Sequence, residues 1–295
     1  MKFHGSLVAL VTPFKNGRVD EKTLVRLVRF HIEKGTDGIV PVGTTGESPT
    51  LSHEEHQRVI EIVVEAAARK VPVIAGTGSN TTEEAISLTR FAKKKGADAA
   101  LMVVPYYNKP TQEGLYRHYA AVAARVDIPI ILYNIPGRSG VSMAPETVAR
   151  LAKIPTIVGI KEATGSMDQT SHILSLCSIT VLSGDDSLTL PLLSLGAKGV
   201  ISVIANIAPE AVSGMVDAYF AGNYEKAREL HYRMFPLCRA LFVETNPIPV
   251  KKAMGLLGLC SDELRLPLCG MQPYNEEMLV KAMKDFGLVP KKVKK

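Results

Sequence analysis

Eight short β-branched apolar runs alternate with amphipathic stretches along this chain, and few architectures accommodate that pattern. The runs are Leu7–Val11, Gly38–Val42, Val71–Ala75, Ala100–Val104, Ile130–Tyr133, Ile157–Ile160, Thr180–Ser183 and Val200–Val203. They are nearly continuous in apolar residues, as parallel strands covered on both faces should be. Helical patterns lie between them. Ser52 with Glu55, Thr81 with Glu84 and Ser166 with Gln169 have capping-box spacing, and Gly35, Gly96 and Gly196 stand where helices end ahead of strands. Eight such units predict an α/β fold, a closed TIM (β/α)8 barrel rather than an open doubly wound sheet. A dinucleotide-binding open sheet would carry G-x-G-x-x-G after an early strand, and Gly76-Thr77-Gly78 lacks the third glycine. After Ala221 the pattern is helical only, over about Tyr224–Phe242, Pro247–Leu257 and Glu276–Phe286. The chain therefore divides into a catalytic barrel, residues 1–222, and a C-terminal helical extension, residues 223–295.

The 295 residues, 46% of them hydrophobic, suit one barrel with an added helical piece. No apolar stretch nears the ~18 residues of a membrane span, so no membrane partner is expected. The formal charge of +6 hints at nucleic acid, but Lys291, Lys292, Lys294 and Lys295 supply four of those charges. Removing the four from +6 leaves +2, too little for a basic face, and the chain has no Trp and no nucleic-acid motif. The basic tail reads as a frayed, solvated end. Leu7–Val11 is stopped by Thr12-Pro13 before a secretory apolar region is complete, and reads as a first strand. Cys177, Cys238, Cys260 and Cys269 show no C-x-x-C spacing, the pattern of reduced thiols in a cytoplasmic protein.

A barrel of this kind builds its site at the C-terminal ends of the strands. Those ends carry Gly43-Thr44-Thr45-Gly46-Glu47, Pro105-Tyr106-Tyr107, Tyr133-Asn134 with Arg138 close behind, and Lys161-Glu162. Lys161 follows Ile157-Val158-Gly159-Ile160, which sets its amine at the mouth of an apolar core, where desolvation favours the neutral nucleophile. The alternative is a lysine snorkelling to water. Tyr133 could shuttle protons beside it, or be an ordinary half-buried aromatic. Thr44 offers a hydroxyl that can pass a proton, and Thr45 offers N–H and O–H donors to a carboxylate. Arg138, in the flexible loop Pro136–Gly140, could clamp a carboxylate or stay solvated. Tyr106 and Tyr107 fit either strand-end aromatics or a subunit interface. Metal catalysis is poorly supported: His53 and His56 are i, i+3, not the i, i+4 of a zinc helix. Asp185 and Asp186 would repel a phosphate after the seventh strand. A strand-end lysine without metal or phosphate suggests class I, imine-forming aldolase chemistry, and a non-catalytic 2-oxo-acid sensor is the reading from another class.

These motifs together carry a resemblance: GTTGES at Gly43–Ser48, YYN at Tyr106–Asn108, YNIPGRSG at Tyr133–Gly140, GIKEATG at Gly159–Gly165, SGDD at Ser183–Asp186, GVISV at Gly199–Val203 and NPIPVK at Asn246–Lys251. Over essentially its whole length the chain resembles the dihydrodipicolinate synthase family, in the superfamily that also contains N-acetylneuraminate lyase. The resemblance implies a Schiff base between Lys161 and pyruvate, condensation with L-aspartate 4-semialdehyde to 4-hydroxy-tetrahydrodipicolinate, and a place in diaminopimelate and lysine biosynthesis, with no cofactor. It implies a proton relay of Tyr133, Thr44 and Tyr107, the last from a neighbouring subunit. Thr45 and the Ile201 backbone would contact pyruvate, and Arg138 the semialdehyde carboxylate. It further implies a homotetramer built as a dimer of tight dimers, inhibited by L-lysine at Ser48, Pro49, His53, His56, Asn80, Glu84 and Tyr106. Pro49 departs from the smaller residue expected there, and Thr245 is another departure. The alternative within the superfamily is a pyruvate lyase or aldolase acting on a sugar-acid aldehyde. Such lyases lack an arginine at position 138 and favour GSTGE over GTTGE.

Overall fold

The computed structural model describes residues 3–289; the basic tail at 291–295 lies outside the described residues. Eight parallel strands form one sheet: β1 Gly5–Ala9, β2 Gly38–Val40, β3 Ile74–Gly76, β4 Ala99–Val103, β5 Ile130–Asn134, β6 Ile157–Glu162, β7 Thr180–Ser183 and β8 Gly199–Ser202. Their spatial order is β2-β1-β8-β7-β6-β5-β4-β3, and a parallel bridge between Ile39 and Val73 joins the two outer strands, closing the barrel. Helices follow the strands, and a two-stranded antiparallel hairpin, Phe14–Lys15 with Arg18–Val19, is added after β1. The first strand starts two residues earlier than its apolar run, and β6 continues two residues past Ile160 to include Lys161 and Glu162.

Local chemistry explains the helix starts, with one revision. Ser52 and Glu55 form a complete capping box at the helix His53–Ala67. Thr81 and Ser166 each cap the N–H of the residue three positions on, but the return bond is not made. Gln169 reaches the Met143 carbonyl instead, and Glu84 turns to His53 and Ser79. Spacing licensed the box, and tertiary partners took the side chain. Gly76-Thr77-Gly78 also has a packing reason: a Cβ on Gly78 would meet the Val103 backbone nitrogen at 2.3 Å.

Inside the barrel, Leu7, Val40, Leu101, Ile131, Tyr133, Leu182 and Ile201 make one apolar cluster. The C-terminal helices Tyr224–Ala240, Ile248–Leu257 and Pro273–Phe286 bury Leu237, Met254 and Met283 in the same outer cluster as Val8, Leu27 and Val59 of the barrel. We infer that the division at 222/223 marks a change of topology over a shared core. No helix among the described residues is long and apolar enough to cross a membrane.

Candidate active site

Strand register brings the strongest candidates together. Lys161 on β6 pairs with Tyr133 on β5 and Leu182 on β7, and Tyr133 pairs in turn with Val103 on β4. Lys161 is only 6% exposed, and its Nζ lies 4.2 Å from the centre of the Tyr133 ring. It therefore does not snorkel to water. Ile201 is buried on β8 beside Leu7.

Three acids stand at or just past the ends of β6 and β7: Glu162 and Asp186 are buried and Asp185 half-buried. Burial raises the pKa of Glu162 against hydrogen bonds from Thr164 and Asn134, and burial raises that of Asp185, with the Lys161 charge opposing it. Asp186, also raised by burial, spends Oδ2 on the N–H groups of Val203 and Ile204 at 2.9 and 3.0 Å. Those amides follow β8, where barrels commonly bind phosphate, so an internal carboxylate occupies that position.

Above Val103 opens a cavity of about 320 Å³ lined by Thr44, Tyr106, Ile135, Arg138 and Asn246 among others. Arg138 does not sit in a flexible loop: Pro136–Ser139 is a helical turn ended by Gly140 at φ +73°. Its Nη2 donates to the Asn246 carbonyl at 2.9 Å, while the Asn246 side-chain amide donates to Thr45 Oγ1 at 3.0 Å. With a lone pair so engaged, the Thr45 hydroxyl keeps its proton for an acceptor in the site. Asn246 thus links both expected carboxylate ligands. A larger cavity of about 620 Å³ lies beyond Asp185, against the C-terminal helices, and contains none of the expected site residues.

Tyr107 is not brought into its own chain's site. It takes a left-handed backbone, φ +71°, and is 90% exposed. Tyr106 turns inward instead, to the wall between the first cavity and a second of about 210 Å³. Ser48, Pro49, His53, His56, Glu84 and Tyr106 line this second space together with Ser79. Asn80 stands beside it, with its carbonyl taken by Asn108 Nδ2 at 2.8 Å. Glu84 pairs with His53 Nε2 at 3.2 Å and accepts from Ser79. The Tyr106 phenol is pushed up in pKa by burial and by the Glu84 charge. His56 is pushed down by burial, and its Nε2 meets the Gly76 carbonyl at 2.8 Å, the geometry of a neutral imidazole donating.

Sequence reasoning passed over Asn246, Ser79 and a buried pair, Glu47 with Lys251. Glu47 and Lys251 sit inside quoted motifs, GTTGES and NPIPVK, yet 204 residues separate them and no local spacing pairs them.

Comparison with known proteins agrees with this geometry. The sequence matches the Dihydrodipicolinate synthetase family over residues 2–286. It is 60% identical to the 4-hydroxy-tetrahydrodipicolinate synthase of Geotalea daltonii, over 97% of this chain and 100% of that one. The fold superposes on the crystal structure of dihydrodipicolinate synthase from Aquifex aeolicus with TM-score 0.97 and 53% identity, covering 98% of this chain and 100% of that one. It superposes on DHDPS from Cyanidioschyzon merolae with lysine bound at TM-score 0.95 and 45% identity, covering 97% and 99%. With motifs, barrel and full-length matches in agreement, the chain belongs to the dihydrodipicolinate synthetase family.

Proposed function

We propose that this chain condenses pyruvate with L-aspartate 4-semialdehyde to 4-hydroxy-tetrahydrodipicolinate through an imine on Lys161. The single observation that carries the chemistry is Lys161, buried at the end of its strand with its Nζ over the ring of its strand neighbour Tyr133. The neutral amine attacks the pyruvate carbonyl and water leaves. Loss of a methyl proton gives the enamine, whose carbon attacks the aldehyde. The amino group of the condensed product then displaces lysine from the imine carbon, closing the ring and freeing Lys161. Tyr133 and Thr44 move protons to and from the carbinolamine, and Tyr107 completes the relay. Because Tyr107 points out of its own chain, we assign it to the site of a neighbouring copy within a homotetramer of paired dimers. Thr45 and the Ile201 backbone hold the pyruvate carboxylate, and Arg138 holds that of the semialdehyde. Arg138 also weighs against a sugar-acid aldehyde as substrate.

The second cavity supports L-lysine as an effector. Glu84 offers a carboxylate to an ammonium, the wall is shared with the substrate cavity, and a relative at 45% identity is described with lysine bound.

The test is steady-state condensation, coupled to the reductase of the next step, for wild type and Lys161→Ala, with borohydride trapping of pyruvate. Turnover and a covalent mass in wild type, both lost in the variant, are the expected result. A folded wild type that traps pyruvate without condensing it would reject the semialdehyde, and no trapping would reject the imine.

A further inference from the structure

Glu47 and Lys251 form an ion pair in which neither side chain is exposed. Lys251 Nζ lies 2.6 Å from Glu47 Oε1, donates to the Glu263 carbonyl at 2.6 Å, and stands 4.1 Å from the centre of the Phe14 ring. The second carboxylate oxygen accepts the Arg265 backbone N–H at 3.2 Å. Both charges are fully partnered. A buried pair of this kind is nonetheless a poor source of stability, because desolvation offsets much of the attraction. Its value lies in what it fixes.

Glu47 takes a left-handed backbone, φ +54°, which is strained for a residue with a Cβ. Its N–H donates to the Thr44 carbonyl at 3.1 Å, and its carbonyl accepts from the Thr50 N–H at 3.0 Å. Glu47 is therefore the pivot of the turn. Thr44 precedes it in the lining of the first cavity, with Thr45 next along the chain, and Ser48 and Pro49 follow it into the wall shared by both cavities. The partner lysine lies on the helix Ile248–Leu257, just past Asn246, which already holds Thr45 and Arg138. One short segment thus grips the turn at two points, Asn246 on Thr45 and Lys251 on Glu47. Thr12 Oγ1 adds a further grip on the Gly46 carbonyl at 2.7 Å.

We propose that Glu47 and Lys251 are positioning residues for the condensation: their ion pair holds the left-handed turn that aims Thr44 and Thr45 at the substrate. The proposal rests on the roles given to those threonines above. Neither charge touches substrate, so the effect is on placement, and displacements of about 1 Å at reacting groups cost up to roughly a hundredfold in rate.

The test is the double variant Glu47→Met/Lys251→Met in the full chain, which removes both charges and leaves none uncompensated in the core. Borohydride trapping of pyruvate counts competent sites, and condensation is then expressed per trapped site. The expected result is trapping near the wild-type level with kcat per trapped site reduced roughly tenfold to a hundredfold. Glu47→Asp keeps the charge but shortens the reach by one methylene, and should likewise lower kcat per trapped site. A double variant that condenses per trapped site like wild type would overturn the proposal. Should the double variant not fold, Lys251→Arg, which keeps the charge and moves its donors, decides by the same criterion. Wild-type protein that traps pyruvate without condensing it rejects the assigned reaction and this proposal with it. Wild-type condensation alongside unaffected variants rejects the pair alone.

Discussion

Acidification should destabilise this protein through two buried imidazoles, His31 and His118. His31 Nδ1 lies 3.2 Å from Thr36 Oγ1, and His118 Nδ1 lies 3.0 Å from Thr82 Oγ1; among the described residues neither Nε2 has a partner. Burial pushes His31 down to about 3 and His118 to about 4, from the ordinary 6.5. Both folded values lie below the unfolded one, so the unfolded chain binds more protons once pH drops under 6.5. The stability they contribute is complete above 6.5 and is lost as pH falls toward 4 and 3. From pH 7 to pH 5 each group removes about 2 kcal/mol, and the pair about 4 kcal/mol. For a chain of this length that is a fall in Tm of roughly 6 °C. Thermal unfolding of wild type and His31→Leu/His118→Leu at pH 7, 6 and 5 isolates the effect, because the carboxylates titrate equally in both. The readout is the slope with pH, not the baseline, which the lost threonine partners also shift. A double variant that loses as much Tm as wild type between pH 7 and 5 would refute the assignment.

Lys251→Met alone strands a buried carboxylate and should cost about 3–5 kcal/mol, lowering Tm by roughly 5–8 °C; a wild-type Tm would contradict the burial of that pair. Tyr107→Phe should lower kcat by roughly a hundredfold or more as a relay member is lost. Mixed and allowed to exchange subunits with Lys161→Ala, it should regain activity, since one shared site then has both an intact lysine and an intact phenol; no recovery in mixed oligomers sinks the shared relay. Glu84→Gln should raise the half-inhibitory lysine concentration at fixed pyruvate at least tenfold, and an unchanged value would remove Glu84 from the effector site.

What the sequence determined by itself is the part written in short-range periodicity. Continuous apolar runs required strands covered on both faces, their alternation with capped helices required parallel crossovers, and eight of them closed a barrel. The barrel in turn set Lys161, Tyr133 and Thr44 at one end, because position on a parallel strand is position in the site. What only the tertiary structure decided is where long side chains find partners. Glu84 has capping-box spacing, yet His53 and Ser79 hold its carboxylate at a cavity wall. Arg138 reads as a mobile loop residue, yet Asn246, 108 residues on, receives its guanidinium. Tyr106 lines the wall of both cavities, while its neighbour Tyr107, on a left-handed backbone, stands exposed. Glu47 meets Lys251 only because the C-terminal helices pack on the mouth of the barrel. Backbone hydrogen bonding and burial repeat every two or three to four residues and leave a local trace, whereas an ion pair between distant segments leaves none until the chain has closed.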